Sequence, residues 1–504
     1  MRGLDYVNFL GALLTLHNYQ LRHENMKIGY FPSIKSILRD STLSKGQDVP
    51  RYRIRAVKHD RIESKTLELD SHTLKDLEVF QAEGSADSLF DLYNSTKTRG
   101  GAQILRHRME NPFADTVSIR QIQKSISTIL KHREVFRRLG FWITGRVERY
   151  QRDPLMFVLQ QSRVAFIIAA TILKLFDGHH YHRIFRGVQF TCLLVNSLRE
   201  FLMHMESHQP EGELELLVED IKQILNRPRF LEVPESELRG RKYLKILRLD
   251  QSFRVYEREK VQELMRLTYE IDALSSLADA TRKYHYAIPE ILDGPTRIQG
   301  SDLVHPQVEN AIANEVGLDQ QSRMLFLTGP NMAGKTTYLR AISTALYLGH
   351  LGMGVPATSF AFTPVDRLFS SISISDNVHT GTSYFLAEVL RIKSISSAVA
   401  EGLRVIAIMD EPFKGTNVRD ALEASLAIIE RLEAKSDCLF LFSSHLIELD
   451  EEFSSSMGIV KCHFEARETE GELSFDYLLH SGVSIQRLGM RVLSEQGVFA
   501  LLDK

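Results

Sequence analysis

The chain has 504 residues, 43 % of them apolar and 25 % charged, with a formal net charge of −2. That composition excludes a wholly disordered chain, and the length predicts two to four domains. The near-neutral balance excludes a uniformly basic polyanion binder, so nucleic-acid affinity would have to come from local patches.

Met1 to Leu21 holds only a short apolar core, Phe9 to Leu16, broken by His17, Asn18 and Gln20. It has no small-residue cleavage pattern, so no secretory signal is expected. From Arg22 to Lys65, eleven Lys/Arg stand against five Asp/Glu, and from Lys131 to Arg163 eight stand against three. Such runs suit phosphate backbones, although a solvated protein face has the same composition. The most apolar run, Val164 to Leu173, is bracketed by Arg163 and Lys174. It is far shorter than the roughly 20 residues of a membrane span, so a buried helix is expected and no membrane partner. Cys192, Cys438 and Cys462 are widely spaced with no CxxC pair. That speaks against disulfides or a zinc ribbon and for a reduced, cytoplasmic setting.

No proline occurs between Pro154 and Pro210 or between Pro234 and Pro289, so both stretches can carry long helices. In the second, Val261, Leu264, Met265, Thr268, Ile271, Leu274, Leu277 and Ala278 recur at helical steps, which predicts an amphipathic helix. Near Ile291 the pattern changes. Met324–Leu327, Val405–Met409 and Leu439–Phe442 read as buried strands with helical segments between them. The expected fold class is therefore an α-helical region, residues 1–290, followed by an α/β domain with a mostly parallel sheet, residues 291–504.

The strongest motif is Gly329-Pro330-Asn331-Met332-Ala333-Gly334-Lys335-Thr336, with the GxxxxGK[ST] spacing of a P-loop, followed by Thr337. A strand runs into it and a helical pattern (Tyr338, Leu339, Ile342, Ala345, Leu346) leaves it. Glycines let successive N–H groups turn around phosphate oxygens, and the helix adds its positive end. Lys335 is expected at the β- and γ-phosphates of ATP and Thr336 at Mg²⁺. The strand Val405–Met409 ends in Asp410 and Glu411. Asp410 is expected to support Mg²⁺ and Glu411 to polarise the attacking water. A third strand leads to Ser443-Ser444-His445, where His445 would sense the γ-phosphate or that water.

These residues resemble the ATPase domain of the MutS family of DNA mismatch-repair and recombination proteins. The likeness runs through Thr328 to Arg340, then Pro364 to Phe369, Ile374 to Asn377, Gly381 to Phe385 with Glu388, Asp410 to Asn417, and Ser444-His445 with Glu448-Leu449. The front is similar too: Gly11 to Leu14, Leu69-Asp70, Thr73-Leu74, Leu77-Glu78 and Thr96 to Pro112 resemble the family's core domain. Tyr269 to Ala278 resembles its returning lever helix. The resemblance implies a helical core and lever joined to a P-loop, ABC-type ATPase that dimerises, as a homodimer here, with Ser383 reaching the nucleotide of the partner protomer. It also implies DNA as a partner.

Departures shape the expectation. The core begins within a few residues of Met1, leaving no room for the family's mismatch-reading and connector domains. The only Phe-x-Glu tripeptide, Phe230-Leu231-Glu232, falls in the lever region. The family's adenine-stacking aromatic aligns with Ala311. The expected function is a DNA-repair or recombination ATPase that binds branched DNA and switches shape with ATP, without reading single mismatches. An ABC-type ATPase driving a non-DNA assembly is the alternative, and the absence of the LSGGQ wording of transport ATPases weighs against it. A nucleotide-binding protein with negligible turnover is the third reading.

Overall fold

The computed structural model describes residues 43–44, 64–82, 87–153, 157–158, 163–236, 242–372, 384–453, 458–469, 472–484, 486, 491, 493 and 498–502. Helices come first: α1 (Ser71–Asp76), α2 (Leu89–Tyr93), α3 (Arg99–Glu110), α4 (Thr116–Lys131), α5 (Arg133–Arg138), α6 (Phe141–Arg152), α7 (Arg163–Phe176), α8 (Gly178–His208), α9 (Glu213–Leu225), α10 (Pro228–Leu231), α11 (Tyr243–Gln251) and α12 (Arg258–Lys283). Several starts follow capping chemistry. Asp70, Ser88, Thr98 and Asp115 each accept a backbone N–H three residues on.

The expected amphipathic helix is α12, and it is more enclosed than its stripe suggests. Val261, Leu264, Met265, Thr268, Ile271, Leu274, Leu277 and Ala278 are buried, but so are Glu270, Asp272 and Ser276 on other sides. The reason is that α3, α4, α6 and α9 surround it. Its buried charges are matched. Arg108 reaches Glu270 at 2.9 Å. Asp272 accepts from the N–H groups of Lys97 (2.9 Å) and Thr98 (2.8 Å) and from the Thr98 hydroxyl (2.7 Å). That carboxylate anchors the start of α3, and Gly101 permits the approach, since a Cβ there would lie 2.3 Å from Asp272 Oδ2. The apolar run Val164–Leu173 forms α7 but is buried on one side only: Phe166, Ala170 and Leu173 are inside, whereas Val164 is 63 % exposed. No helix among the described residues is long and apolar enough to cross a membrane. The three cysteines are free.

An α/β region follows with a mixed sheet. Its strands are β1 (Glu290–Ile291), β2 (Ile298–Leu303), β3 (Asn314–Leu318), β4 (Met324–Thr328), β5 (Ser359–Phe362), β6 (Arg367–Ser371), β7 (Val405–Asp410), β8 (Leu439–Ser443), β9 (Ile459–His463), β10 (Ala466–Thr469), β11 (Glu472–Phe475) and β12 (His480–Ser481). The main sheet has the order β12-β9-β4-β8-β7-β6, parallel except for β12. A four-stranded sheet, β1-β5-β2-β3, stands beside it, and β10 pairs with β11. The strands expected at Met324–Leu327, Val405–Met409 and Leu439–Phe442 are β4, β7 and β8, each one residue longer than expected. Their side chains alternate between two cores. Leu325, Leu327, Ile406, Ile408, Leu439 and Leu441 face one, which also holds α13 (Lys335–His350) and the helical region. Phe326, Ala407, Met409, Phe440 and Phe442 face the other, with α14 (Tyr384–Ala400) and α15 (Val418–Glu433).

Two seams join the regions. In the first, Tyr347 of α13 donates to the Met109 carbonyl at 2.7 Å, His350 Nδ1 to the Phe113 carbonyl at 2.6 Å, and Arg340 pairs with Glu78 at 3.1 Å. In the second, buried Arg391 of α14 donates to Thr73 Oγ1 and Ser371 Oγ, both at 2.8 Å, and pairs with Asp70. Asp76 accepts from Ser370 Oγ (3.0 Å) and the Ile372 N–H (2.7 Å).

Replacing Asp272 by Ala leaves two part-buried N–H groups and a hydroxyl without their acceptor. We expect Asp272→Ala to lower the unfolding free energy by about 1–3 kcal/mol, read by urea titration. An unchanged midpoint would show that α3 is held by apolar packing alone.

Candidate functional site

β4 ends at Thr328, the chain turns through Gly329–Gly334, and α13 begins at Lys335. Gly329, Met332 and Gly334 have φ of 134°, 71° and 104°. Such a turn points N–H groups into one concavity. Gly329 is required twice over, by its φ and because a Cβ would lie 2.7 Å from the Phe464 carbonyl oxygen. No side chain caps α13, so its first N–H groups remain available to an anion. Asn331, Met332, Thr336 and Thr337 are exposed, whereas Pro330, Ala333 and Lys335 are buried.

Because β4, β8 and β7 are adjacent and parallel, their C-terminal ends line up, with Ser443 opposite both Leu327 and Asp410. Residues remote in sequence therefore meet. Lys335 Nζ donates to the carbonyls of Gly329 (2.8 Å) and Pro330 (3.2 Å) and lies 3.5 Å from Glu411 Oε1. Burial pushes its ammonium down from the usual lysine range, against the pull of Glu411 and Asp410. Thr336 Oγ1 donates to Asp410 Oδ2 at 2.7 Å, and the Ser443 hydroxyl donates to Oδ1 of the same carboxylate. The Glu411 N–H is fixed by the Ser443 carbonyl (3.1 Å) and hydroxyl (3.0 Å).

Glu411 lies against two ammonium groups and an imidazole: Lys414 Nζ at 2.6 Å, Lys335 Nζ at 3.5 Å and His445 Nε2 at 2.5 Å. Burial opposes its ionisation, but His445 and Lys414 outweigh burial and hold the carboxyl at about 2. Glu388 of α14 accepts from the N–H groups of Lys414 (3.1 Å) and Gly415 (3.2 Å), setting the loop that carries Lys414. Ser383 lies outside the described residues.

A cavity of about 460 Å³ opens beside this cluster. One wall is Pro330, Asn331, Met332 and Gly334 to Tyr338. The other includes His305, Val308, Ala311, Ile312 and Tyr477. Ala311 thus lines the cavity but brings no ring. Tyr477 brings one, and sequence reading missed it. It follows β11, far from the P-loop in the chain, within no motif. It is fixed by Asn314, whose amide donates to the Tyr477 carbonyl at 3.0 Å and whose oxygen accepts the Leu479 N–H at 2.7 Å. Its ring edge would lie 3.3 Å from a Cβ on Gly334. His305 is pushed down to about 4 by burial and by Arg340, so it is neutral at pH 7.

These groups suit their expected ligands. A hydroxyl and a carboxylate oxygen side by side match a hard divalent cation such as Mg²⁺. The inward-turned loop with Lys335 matches phosphate oxygens, and an apolar wall with one phenol ring matches a planar base.

Comparison with protein families matches MutS domain III to residues 72–278 and MutS domain V to residues 325–500. The first match falls on the helices and the second on the strands and loops that gather Lys335, Asp410, Glu411 and His445. The two cover most of the chain, in family order, and the protein belongs to the MutS family.

Proposed function

We propose that the protein is a MutS-type ATPase that binds branched DNA and changes its grip with nucleotide state. The helical core and lever are taken as residues 1–290 and the P-loop, ABC-type ATPase domain as residues 291–504. Domain V is the ATPase domain of MutS proteins, which supports ATP hydrolysis, and the family's link to DNA repair supports a DNA partner. The observation that carries the reading is the meeting of Lys335, Thr336, Asp410, Glu411 and His445 at the ends of three neighbouring parallel strands.

In this reading Lys335 and the N–H groups of residues 331–336 bind the ATP phosphates, and Tyr477 stacks on the base in place of an aromatic at Ala311. Thr336 and Asp410 hold Mg²⁺, which neutralises charge on the phosphate oxygens. Glu411 orients and polarises water, and His445, in contact with it, relays the presence of the γ-phosphate. Phosphate oxygens compete with Glu411 for Lys335, while His445 and Lys414 keep the carboxylate in place. Ser383 acts across a homodimer. Leu386, Val389 and Leu390 of α14 and Val418 of α15 support that assembly, because these apolar side chains are exposed beside the site. Single mismatches are not the target: Phe230, in the sole Phe-x-Glu tripeptide, is fully buried against Phe253.

Lys335→Ala is expected to weaken ATP binding at least tenfold by calorimetry; unchanged affinity would remove the phosphate assignment. Glu411→Gln should retain ATP binding while slowing steady-state turnover by about 10²-fold or more. Wild-type turnover would shift the role to another group. Tyr477→Ala should weaken ATP binding about tenfold and Tyr477→Phe far less, and equal affinity in both would take the ring off the base. For DNA, anisotropy with matched, mismatched and four-way-junction substrates should favour the junction and fall steeply with salt, with log–log slope about −0.9 per phosphate contacted. No binding at low salt would leave an ATPase of another assembly.

A further inference from the structure

Away from the nucleotide site, α6 turns Trp142, Gly145, Arg146 and Arg149 to solvent, the positions of one helical face. Trp142 is the chain's single tryptophan and is 62 % exposed. Its ring is nonetheless positioned. It meets Phe190 of α8 edge-on at 6.3 Å, and the Arg146 guanidinium lies 4.8 Å from the Phe190 centroid and 5.5 Å from that of Trp142. Arg138, closing α5 just before, is also exposed.

The charge on this face is unbalanced. Among the described residues, Arg138, Arg146 and Arg149 have no ion-pair partner, while the nearby carboxylates are engaged. Glu134 pairs with Arg137 at 3.1 Å, Glu148 with Arg152 at 2.6 Å, and Asp153 with Arg183 at 2.5 Å. On α8, exposed Arg186 stands one turn before Phe190 and adds positive charge. A solvated basic surface needs no indole, and an apolar protein contact would not be ringed by unpaired guanidiniums. A platform for one base flanked by cations for its phosphates fits both features. In duplex DNA the base faces are stacked and closed to such a platform, so the fitting ligand has unpaired bases.

We propose that this face binds an unpaired DNA strand, such as the strand exposed at a branch, with Trp142 stacked on a base and Arg138, Arg146 and Arg149 on phosphates. The inference rests on the DNA-binding reading above and adds a site and a strand preference to it. Trp142 being the sole indole, its emission reports stacking directly.

The full chain is titrated with oligo(dT) of 20 nucleotides while tryptophan emission is followed. In parallel, anisotropy reads labelled oligo(dT) and a labelled four-way junction. Saturable quenching by oligo(dT) is expected. Trp142→Ala should weaken oligo(dT) binding about tenfold. Arg146→Gln combined with Arg149→Gln should flatten the salt slope on oligo(dT) by about 1.4, at about 0.7 per single-strand phosphate. If emission does not change and these variants bind oligo(dT) like wild type while the junction still binds, this inference is overturned and the DNA reading stands. If neither DNA binds at low salt, both fall. If poly-glutamate quenches as strongly as oligo(dT) at equal charge, the face takes acidic polymers in general and the stacking assignment is overturned.

Discussion

The helix α13 is the constraint on which the rest depends. Thirteen of its sixteen residues are buried, including both polar ends, Lys335 and His350. A helix enclosed on all sides cannot shift without disturbing what surrounds it, because protein interiors are close-packed. Its first turn carries the phosphate loop, and its last two turns are hydrogen-bonded through Tyr347 and His350 to carbonyls of the helical region. The leucines of β4 and β8 share one apolar core with α3, α4 and α12. The loop is therefore joined to the helices through α13 and one shared apolar core.

At the site, the decisive quantity is charge. The ammonium groups of Lys335 and Lys414 and the imidazole of His445, from α13, the loop after β7 and the loop after β8, converge on one carboxylate. Burial alone would favour the neutral acid, but contact with His445 and Lys414 outweighs it and keeps the Glu411 carboxyl low. A carboxylate held this firmly is a weak base, and loosening His445 or Lys414 would raise its basicity.

Much of this was legible from the residues. The strands β4, β7 and β8 are continuous apolar runs, so their burial on both faces is written in composition. The P-loop spacing and the Asp410-Glu411 pair locate the polar cluster because both motifs are local. What was not legible is what the tertiary fold assembles. Tyr477 reaches the cavity through a hairpin and an asparagine clasp, neither with a local pattern. The enclosure of α12 was hidden because Glu270 and Asp272 look like solvent-facing residues until Arg108, Lys97 and Thr98 come into view. The one-sided burial of α7 runs the other way: an apolar run promises burial but cannot say how many neighbours exist to provide it.

The second seam gives the family-like front motif a physical purpose. Asp70 caps α1 through the Thr73 N–H at 2.7 Å and also receives Arg391. Thr73 in turn accepts from the Ser370 N–H at 3.2 Å. The Leu69-Asp70 and Thr73-Leu74 pairs thus act as a plug for the edge strand β6, and Arg391 fixes α14 to that plug. The helix that carries Glu388 is thereby pinned to the start of the helical region. Desolvated, multiply bonded Arg391 tolerates little rearrangement, because breaking one of its contacts leaves a buried charge exposed to apolar surroundings. The two seams approach the helical region from opposite cores of the same sheet, one through α13 and one through α14. Attachment at both places fixes how the strand ends that carry Asp410, Glu411 and Ser443 stand relative to the helical region.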